Sequence, residues 1–473
     1  MVKRVLRITL RIFLAGLVLV AVLLVLGLEG VDYRPYFRTS YYAETTQGLR
    51  AAATTNHVVR GALEAGFGKA LLTPTVKAAQ DDPAQGKFKE LPLAGYGNRR
   101  GHFAEGAHDD LYIKAVAIRV AGQVGVMLGA DALIIPREVA DAACADLAKN
   151  PGLRREQIYL SATHTHCSLG GWGQGVVAEA FAGPFQPAAR EWFASRIVAA
   201  VRAAVADLKP AAFGRGSFAA PDYIRNRLIG DLGKVDPEFS FLAFKKDNGP
   251  LAILGSFSAH ATVLGGSMMQ FSADYPGAWQ RAVERGTGGM AVFLAGGVGS
   301  QSPVPGAGGL EGIERMGTSL AAKLLEQLPG VPLTNRISFG SLGVPVAMPG
   351  LHARVTDGVR LRPWVSRHLL PVAGHSFVQG FLLDQNLWLS TPCDYSAELA
   401  LGIKDFFGMR GVHAVVTSFN GDYVGYVIPG RYYHMDGYEP RVMSFFGPYT
   451  SDYLDELART TGMDLTRATP EPH

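Results

Sequence analysis

The chain has 473 residues, is 48% hydrophobic and 18% charged, and contains 57 glycines; this excludes a disordered chain and fits a loop-rich globular enzyme with a large core. The formal charge of +4 is equalled by Lys3, Arg4, Arg7 and Arg11 alone, so the remainder is nearly neutral and offers nucleic acid no basic patch. Cys144, Cys167 and Cys393 lie far apart and form no CxxC pair, which argues against a zinc knuckle or a disulfide framework.

In chain order, the basic start is followed by the 17 apolar residues IFLAGLVLVAVLLVLGL, positions 12–28, near the lower length for crossing a bilayer. The exit LGLEGVDY is a poor cleavage site. Residues 1–30 are therefore read as an uncleaved signal anchor. The positive flank stays in the cytoplasm and the rest is exported, periplasmic or extracellular, or secreted if the segment is cleaved. Residues 31–60 read as a polar, aromatic-containing linker, and 61–473 as one catalytic domain. Within it, AVAIRVAGQVGVMLGAD predicts a strand hairpin, followed by a helix at about 136–149. QIYLSATHT predicts a strand, REWFASRIVAAVRAAVADL an amphipathic helix, and FLAFKKDNGPLAILGSFSAH a hairpin turning at Asp247, Asn248 and Gly249. GMAVFLAGGVGSQSP predicts a buried strand entering a Gly-rich loop, GTSLAAKLLEQL a helix, and GVHAVVTSFNGDYVGYVIP a late strand. Strands interleaved with helices imply an α/β layered domain with a mixed sheet and flanking helices.

Polar residues gather where the predicted strands end. His164 and His166 follow IYLSAT, His260 follows AILGSFSA, and Ser300 and Ser302 follow AVFLAGGVG. Asp394 follows LWLSTPC, and Asn420, Tyr423 and Tyr426 follow HAVVTSF. Ligand sites in α/β sheets form at such exits. Three histidines, an acid and a tyrosine make a zinc constellation possible, although a single histidine at a strand end is more often a hydrogen-bonded structural residue. The two-residue spacing of His164 and His166 rules out a helical pair. On a strand it would put both rings on one face.

Together these words resemble the neutral/alkaline non-lysosomal ceramidase family. The family signature THTHSGPGG is similar to THTHCSLGG here. The resemblance implies His164 as a zinc ligand and His166 as an acid/base. FSAHATVL matches the second zinc histidine at His260, and GSQSP places Ser302 at the proposed catalytic serine. Asn226-Arg227 matches the substrate-side arginine, PCD the ligand glutamate as Asp394, and DYVGYV the ligand tyrosine as Tyr426. Tyr438 matches a further active-site tyrosine. The similarity runs in order over about residues 60–455. It implies a Zn2+ hydrolase cleaving the N-acyl amide of ceramide or a related N-acyl lipid, with no C-terminal immunoglobulin-like domain expected. The alternatives are a hydrolase of another amide or ester on this scaffold, or a non-catalytic envelope protein that keeps the fold. The departures are Asp394 for glutamate, Cys393 for glycine, Ser300 for aspartate, and Cys167, Ser168 and Leu169 after the histidines. A lipid-like substrate and a membrane contact through the N-terminal helix are the expected partners, with no nucleic acid.

Overall fold

The structure, a computed structural model, describes residues 2–55, 57–370 and 372–467. Twelve strands form one mixed sheet. In chain order they are β1 (Val59–Leu71), β2 (Tyr112–Val120), β3 (Gln123–Ala130), β4 (Ile158–Ala162), β5 (Lys209–Ala219), β6 (Glu238–Lys246), β7 (Leu251–Phe257), β8 (Met290–Ala295), β9 (Arg336–Ala347), β10 (His375–Leu383), β11 (Asn386–Ser390) and β12 (His413–Thr417). The spatial order is β8-β7-β6-β5-β1-β9-β10-β11-β12, with β2, β3 and β4 extending from β1. Three neighbouring pairs are parallel, β3 with β4, β7 with β8 and β11 with β12, and they deliver the polar exits described below.

β1 is the branch point. Its first residues pair with β9, Val59 opposite Phe339, and its later ones with β2, Leu71 opposite Tyr112. Two wings of sheet therefore leave one strand, and their inner faces close on each other. Tyr159, Leu254, Phe381 and Trp388 share the strand-only core between them. A Cβ on Gly129 of β3 would stand 2.7 Å from the Phe293 carbonyl of β8, so glycine lets the wings touch. All five residues of β4 are buried, which explains its continuous apolar run: a strand covered on both faces has no need of alternation.

Helices cover the outer faces. Leaving the short helix Val176–Ala182 at the cavity unnumbered, they are α1 (Val2–Gly27), α2 (Ser40–Thr55), α3 (Arg137–Lys149), α4 (Pro187–Ala206), α5 (Asp274–Thr287), α6 (Gly309–Gln327), α7 (Pro363–Leu369), α8 (Ala397–Gly408) and α9 (Thr450–Arg467). α3 and α4 pack on β2 to β4, α5 and α6 on β6 to β8, and α2, α8 and α9 on β9 to β12. α4 opens with Pro187 at its first position, where the missing N–H costs nothing. α1 stands apart: within Arg4–Gly27 an 18-residue window has mean hydropathy 2.7 and none of that window is buried.

Two local differences from the sequence reading have physical causes. The segment 31–60 contains a four-turn helix, α2, whose polar face hid a narrow contact: Leu49 is buried and Thr45 accepts a hydrogen bond from the Tyr453 hydroxyl at 2.7 Å. The strand leading to His164 stops at Ala162, so strand pleating is not what brings His164 and His166 together.

Candidate metal centre and active-site cavity

His164 turns the chain out of β4 with φ +65°, a left-handed conformation that a non-glycine residue holds only under constraint. The constraint is visible. Its ring stacks on Phe419 at 4.2 Å, with 12° between the planes, and Nδ1 lies 2.7 Å from the Leu133 carbonyl. A carbonyl only accepts, so Nδ1 carries the proton and Nε2 a lone pair. His260, three residues beyond β7, is fixed the same way, with Nδ1 3.1 Å from the Val298 carbonyl. The two Nε2 atoms face each other at 2.8 Å. His166 Nε2 is 3.3 Å from His164 Nε2, and Asp394 Oδ1 is 3.3 Å from His164 Nε2 and 3.8 Å from His260 Nε2. That Oδ1 is buried and receives no hydrogen bond, whereas Oδ2 accepts one from the Tyr423 hydroxyl at 2.8 Å.

These atoms are acceptors turned toward one another, with backbone carbonyls dictating the tautomers of His164 and His260. Such outer partners orient imidazoles in metal sites. Ligands 2.0–2.1 Å from a tetrahedral zinc stand ~3.3 Å apart, and the separations of 2.8–3.8 Å bracket that value. Burial, reinforced by neighbouring His164 and Arg227, holds His166 and His260 well below the usual histidine range, so both rings are neutral, the form that ligates. The donor set fits a divalent metal such as zinc.

Backbone from other strand exits frames this group. The loop 296–300 after β8 supplies the Val298 carbonyl, and Ser300 accepts Arg227 N–H at its carbonyl (2.9 Å) and Ala397 N–H at its hydroxyl (3.2 Å). A Cβ on Gly299 would stand 2.4 Å from the Asp394 carbonyl oxygen. Behind His166, Gly95 has φ +121° and its Cβ would lie 2.5 Å from His166 Cα. Arg99, 3% exposed, donates to the His166 carbonyl at 2.6 Å and to Cys167 Sγ at 3.3 Å. Burial pushes the Cys167 thiol up to about 12. Ser168 Oγ accepts Leu133 N–H at 2.9 Å. The Cys-Ser-Leu departure is thus part of the brace under the histidines.

The remaining candidates form a second ring. Arg227 donates from Nη2 to the Tyr426 hydroxyl at 2.9 Å, and its Nε lies 2.8 Å from Glu439 Oε1. The Tyr426 ring stacks with His260 at 6.5 Å and meets Tyr438 edge-on at 5.7 Å. Burial raises the Tyr426 and Tyr423 phenols well above the usual range, and raises Tyr438 to about 12. Ser302 sits in a short strand opposite Arg225 and does not line the cavity. Asn226 holds its own turn by accepting Leu228 and Ile229 N–H. Sequence reasoning gave no role to Tyr423 or Glu439. The first sits three residues before Tyr426 and the second directly after Tyr438, and that adjacency was the available signal.

A cavity of about 160 Å³ opens onto His164, His166 and Asp394. Its walls are largely apolar, with Leu133, Ile134, Trp172, Phe181, Met443 and Phe445 among them. One wall carries the ion pair of Arg137 and Asp422. The exposed side chains of Tyr438 and Gln174 mark the rim. Such a space, apolar with few convergent polar groups, suits a ligand with a long hydrocarbon part.

Known proteins share parts of this arrangement. The family model described as neutral/alkaline non-lysosomal ceramidase, N-terminal, matches residues 79–296, a stretch that takes in all three histidines and ends before Ser300 and Asp394. The neutral ceramidase of Pseudomonas aeruginosa is 29% identical over 237 residues, covering 46% of this chain and 35% of that protein; the match thus spans about a third of the relative's length. The crystal structure of a neutral ceramidase from Pseudomonas aeruginosa superposes with a TM-score of 0.70 at 21% identity, covering 86% of this chain and 74% of that one. A ceramidase complexed with C2 gives 0.70 at 19% identity, covering 87% and 76%. At these identities the superpositions show a common fold.

Proposed function

We propose that the chain, which matches the neutral/alkaline non-lysosomal ceramidase family model over residues 79–296, is a zinc-dependent hydrolase of the N-acyl amide bond in ceramide or a related N-acyl lipid. The observation that carries this reading is the Asp394 carboxylate oxygen, buried without a donor beside two imidazole lone pairs. His164, His260 and Asp394 would hold the metal, with Tyr426 as the fourth candidate ligand. Zinc bound there supplies Lewis acidity that polarises an amide carbonyl and brings the pKa of a water toward ~7.

The chain's own groups do the rest. His166, neutral and lining the cavity, accepts the proton of the attacking water at Nε2 and passes it to the amide nitrogen, which leaves as the amine. An amine expelled unprotonated is a very poor leaving group, so this transfer is essential. Arg227 and Tyr438 donate hydrogen bonds to the oxyanion as the carbonyl carbon becomes tetrahedral. The apolar walls take the acyl chain, and the Arg137–Asp422 pair faces polar atoms of the head group. Water is the nucleophile in this reading: Ser302 sits in a short strand opposite Arg225, and among the described residues no hydrogen bond joins its hydroxyl to a histidine that could activate it. α1 anchors the enzyme, with the catalytic region exported.

The experiment is a panel of N-acyl lipids of varied head group and chain length, assayed for fatty-acid release with and without a chelator. The expected result is hydrolysis of ceramide-like members that chelation abolishes and zinc restores. Release from no member by zinc-loaded chain would overturn the reading.

A further inference from the structure

The exit of α1 is fastened to a segment that lies close in sequence to the wall of the cavity. Residues Leu28–Gly30 pair antiparallel with Val359–Leu361. Arg362 then closes the last turn of α1. Its N–H donates to the Gly27 carbonyl at 2.9 Å, Nε to Leu28 at 3.2 Å and Nη2 to Val25 at 3.4 Å. Arg360 adds an ion pair to Glu29 at 2.9 Å. α7 begins at the next residue, Pro363, and Val372 and Ala373 just beyond it line the cavity. At 1.5 Å per residue the seven residues of α7 span only ~10 Å.

α7 has the surface of a segment that meets a bilayer edge-on. Trp364 is 58% exposed, and Arg367 and His368 are exposed beside it. An indole prefers the headgroup layer, where its ring is in the apolar zone and its N–H in the wet one. Basic side chains next to it add attraction to lipid phosphates. Tyr33, also exposed, lies three residues beyond Gly30, on the same connection.

We infer that α7 lies in the headgroup layer of the membrane crossed by α1, and that the cavity, walled in part by Val372 and Ala373, opens toward that lipid surface, so that the lipid substrate enters from the bilayer without crossing water. The inference rests on the anchored, lipid-hydrolysing reading above. It adds a route that anchoring alone does not require, since a free tether would leave the cavity facing any direction. Here the paired strands and Arg362 remove that freedom at the end of α1.

The test uses the full chain reconstituted into phosphatidylcholine vesicles with brominated acyl chains. Bromine quenches indoles that reach the membrane. Wild type should lose a share of fluorescence that Trp364→Phe does not lose; equal quenching in both overturns the placement of α7. A second reading separates membrane docking from folding. Trp364→Ser with Arg367→Ser should raise KM at least fivefold for a long-chain N-acyl lipid held in vesicles, with kcat/KM unchanged for a soluble short-chain analogue. Equal loss on both substrates overturns the docking role. Turnover of neither substrate by wild type would remove the hydrolase reading, while the quenching result still decides whether Trp364 touches lipid. Chain that does not stay with the vesicles overturns the anchor and the inference together.

Discussion

Two polar clusters, one buried and one partly buried, sit beside the loop 296–300, and they are built on opposite rules. On one side, Lys404 Nζ lies 2.7 Å from Asp236 and 3.0 Å from Glu238, His413 Nε2 is 3.0 Å from Glu238, and the Ser258 hydroxyl donates to Asp236 at 3.1 Å. Every charge there has a counter-charge or a donor. Burial opposes the charge on Lys404, but Asp236 and Glu238 outweigh it and its pKa rises. Burial likewise opposes ionised Glu238, yet its bonds to His413 and Lys404 hold it well below the usual carboxylate range. On the other side, His164, His260 and Asp394 present acceptors to acceptors. Polarity and at least one buried carboxylate, Asp236 or Asp394, are common to both groups. What separates them is satisfaction: buried groups are normally paired, and a cluster that pairs every charge needs no ligand, whereas one whose facing acceptors, the two Nε2 atoms and Asp394 Oδ1, lack a donor calls for a cation.

The largest effect that would sharpen this contrast is at Asp394. Outer partners of metal ligands are worth ~10–100-fold, so Asp394→Ala should lower kcat/KM for N-acyl hydrolysis by more than ~10²-fold. In wild type, zinc at a hundred times its Kd should stabilise the fold by ~2.7 kcal/mol, and in Asp394→Ala thermal melts should show little of this. Lys404→Met should do the reverse. Leaving buried Asp236 without its cation should cost up to ~3 kcal/mol in urea melts, with zinc content unchanged. The acid side follows in sign: Glu238 titrates lower folded than unfolded, so its stabilisation is full above about pH 4.3 and is lost as pH falls toward its folded value. Wild type should therefore lose more stability between pH 7 and pH 3 than Lys404→Met. Gly299→Ala, pressing on the Asp394 carbonyl, should weaken zinc binding ~10-fold, read by competition with a chelating dye. Tyr438→Phe is the smallest effect. It should lower kcat ~10-fold with zinc content intact, less than a water-excluded oxyanion donor, because Tyr438 is 45% exposed.

Strands β2 to β4, β6 to β8 and β12 were legible because they are mostly buried and read as nearly unbroken apolar runs, whereas β1 and β5 mix buried and exposed positions and were not read; the hairpin at Asp247 to Gly249 and the helices α3, α4 and α6 appear where the periodicity places them. The convergence of His164, His166, His260 and Asp394 was legible too, since parallel strand pairs carry their exits to one end. What escaped was carried by backbone. The Leu133 and Val298 carbonyls that set the imidazole tautomers have no side-chain signature. The left-handed turn at His164 is invisible in a Thr-His-Thr-His word, and a strand pleat was a natural but different route to the same pairing. Helix α2 buries too few side chains to show a stripe, so its polar composition reads as a connection. Tyr423 and Tyr426 are both phenols in one short word, and only the fold distinguishes the one that bonds Asp394 from the one that bonds Arg227.

The most direct test is the zinc content of the purified full chain in three forms. Wild type and Lys404→Met should each carry about one zinc per chain, and His260→Ala close to none. Wild-type zinc content retained by His260→Ala would contradict the assignment of the unsatisfied cluster as the metal centre.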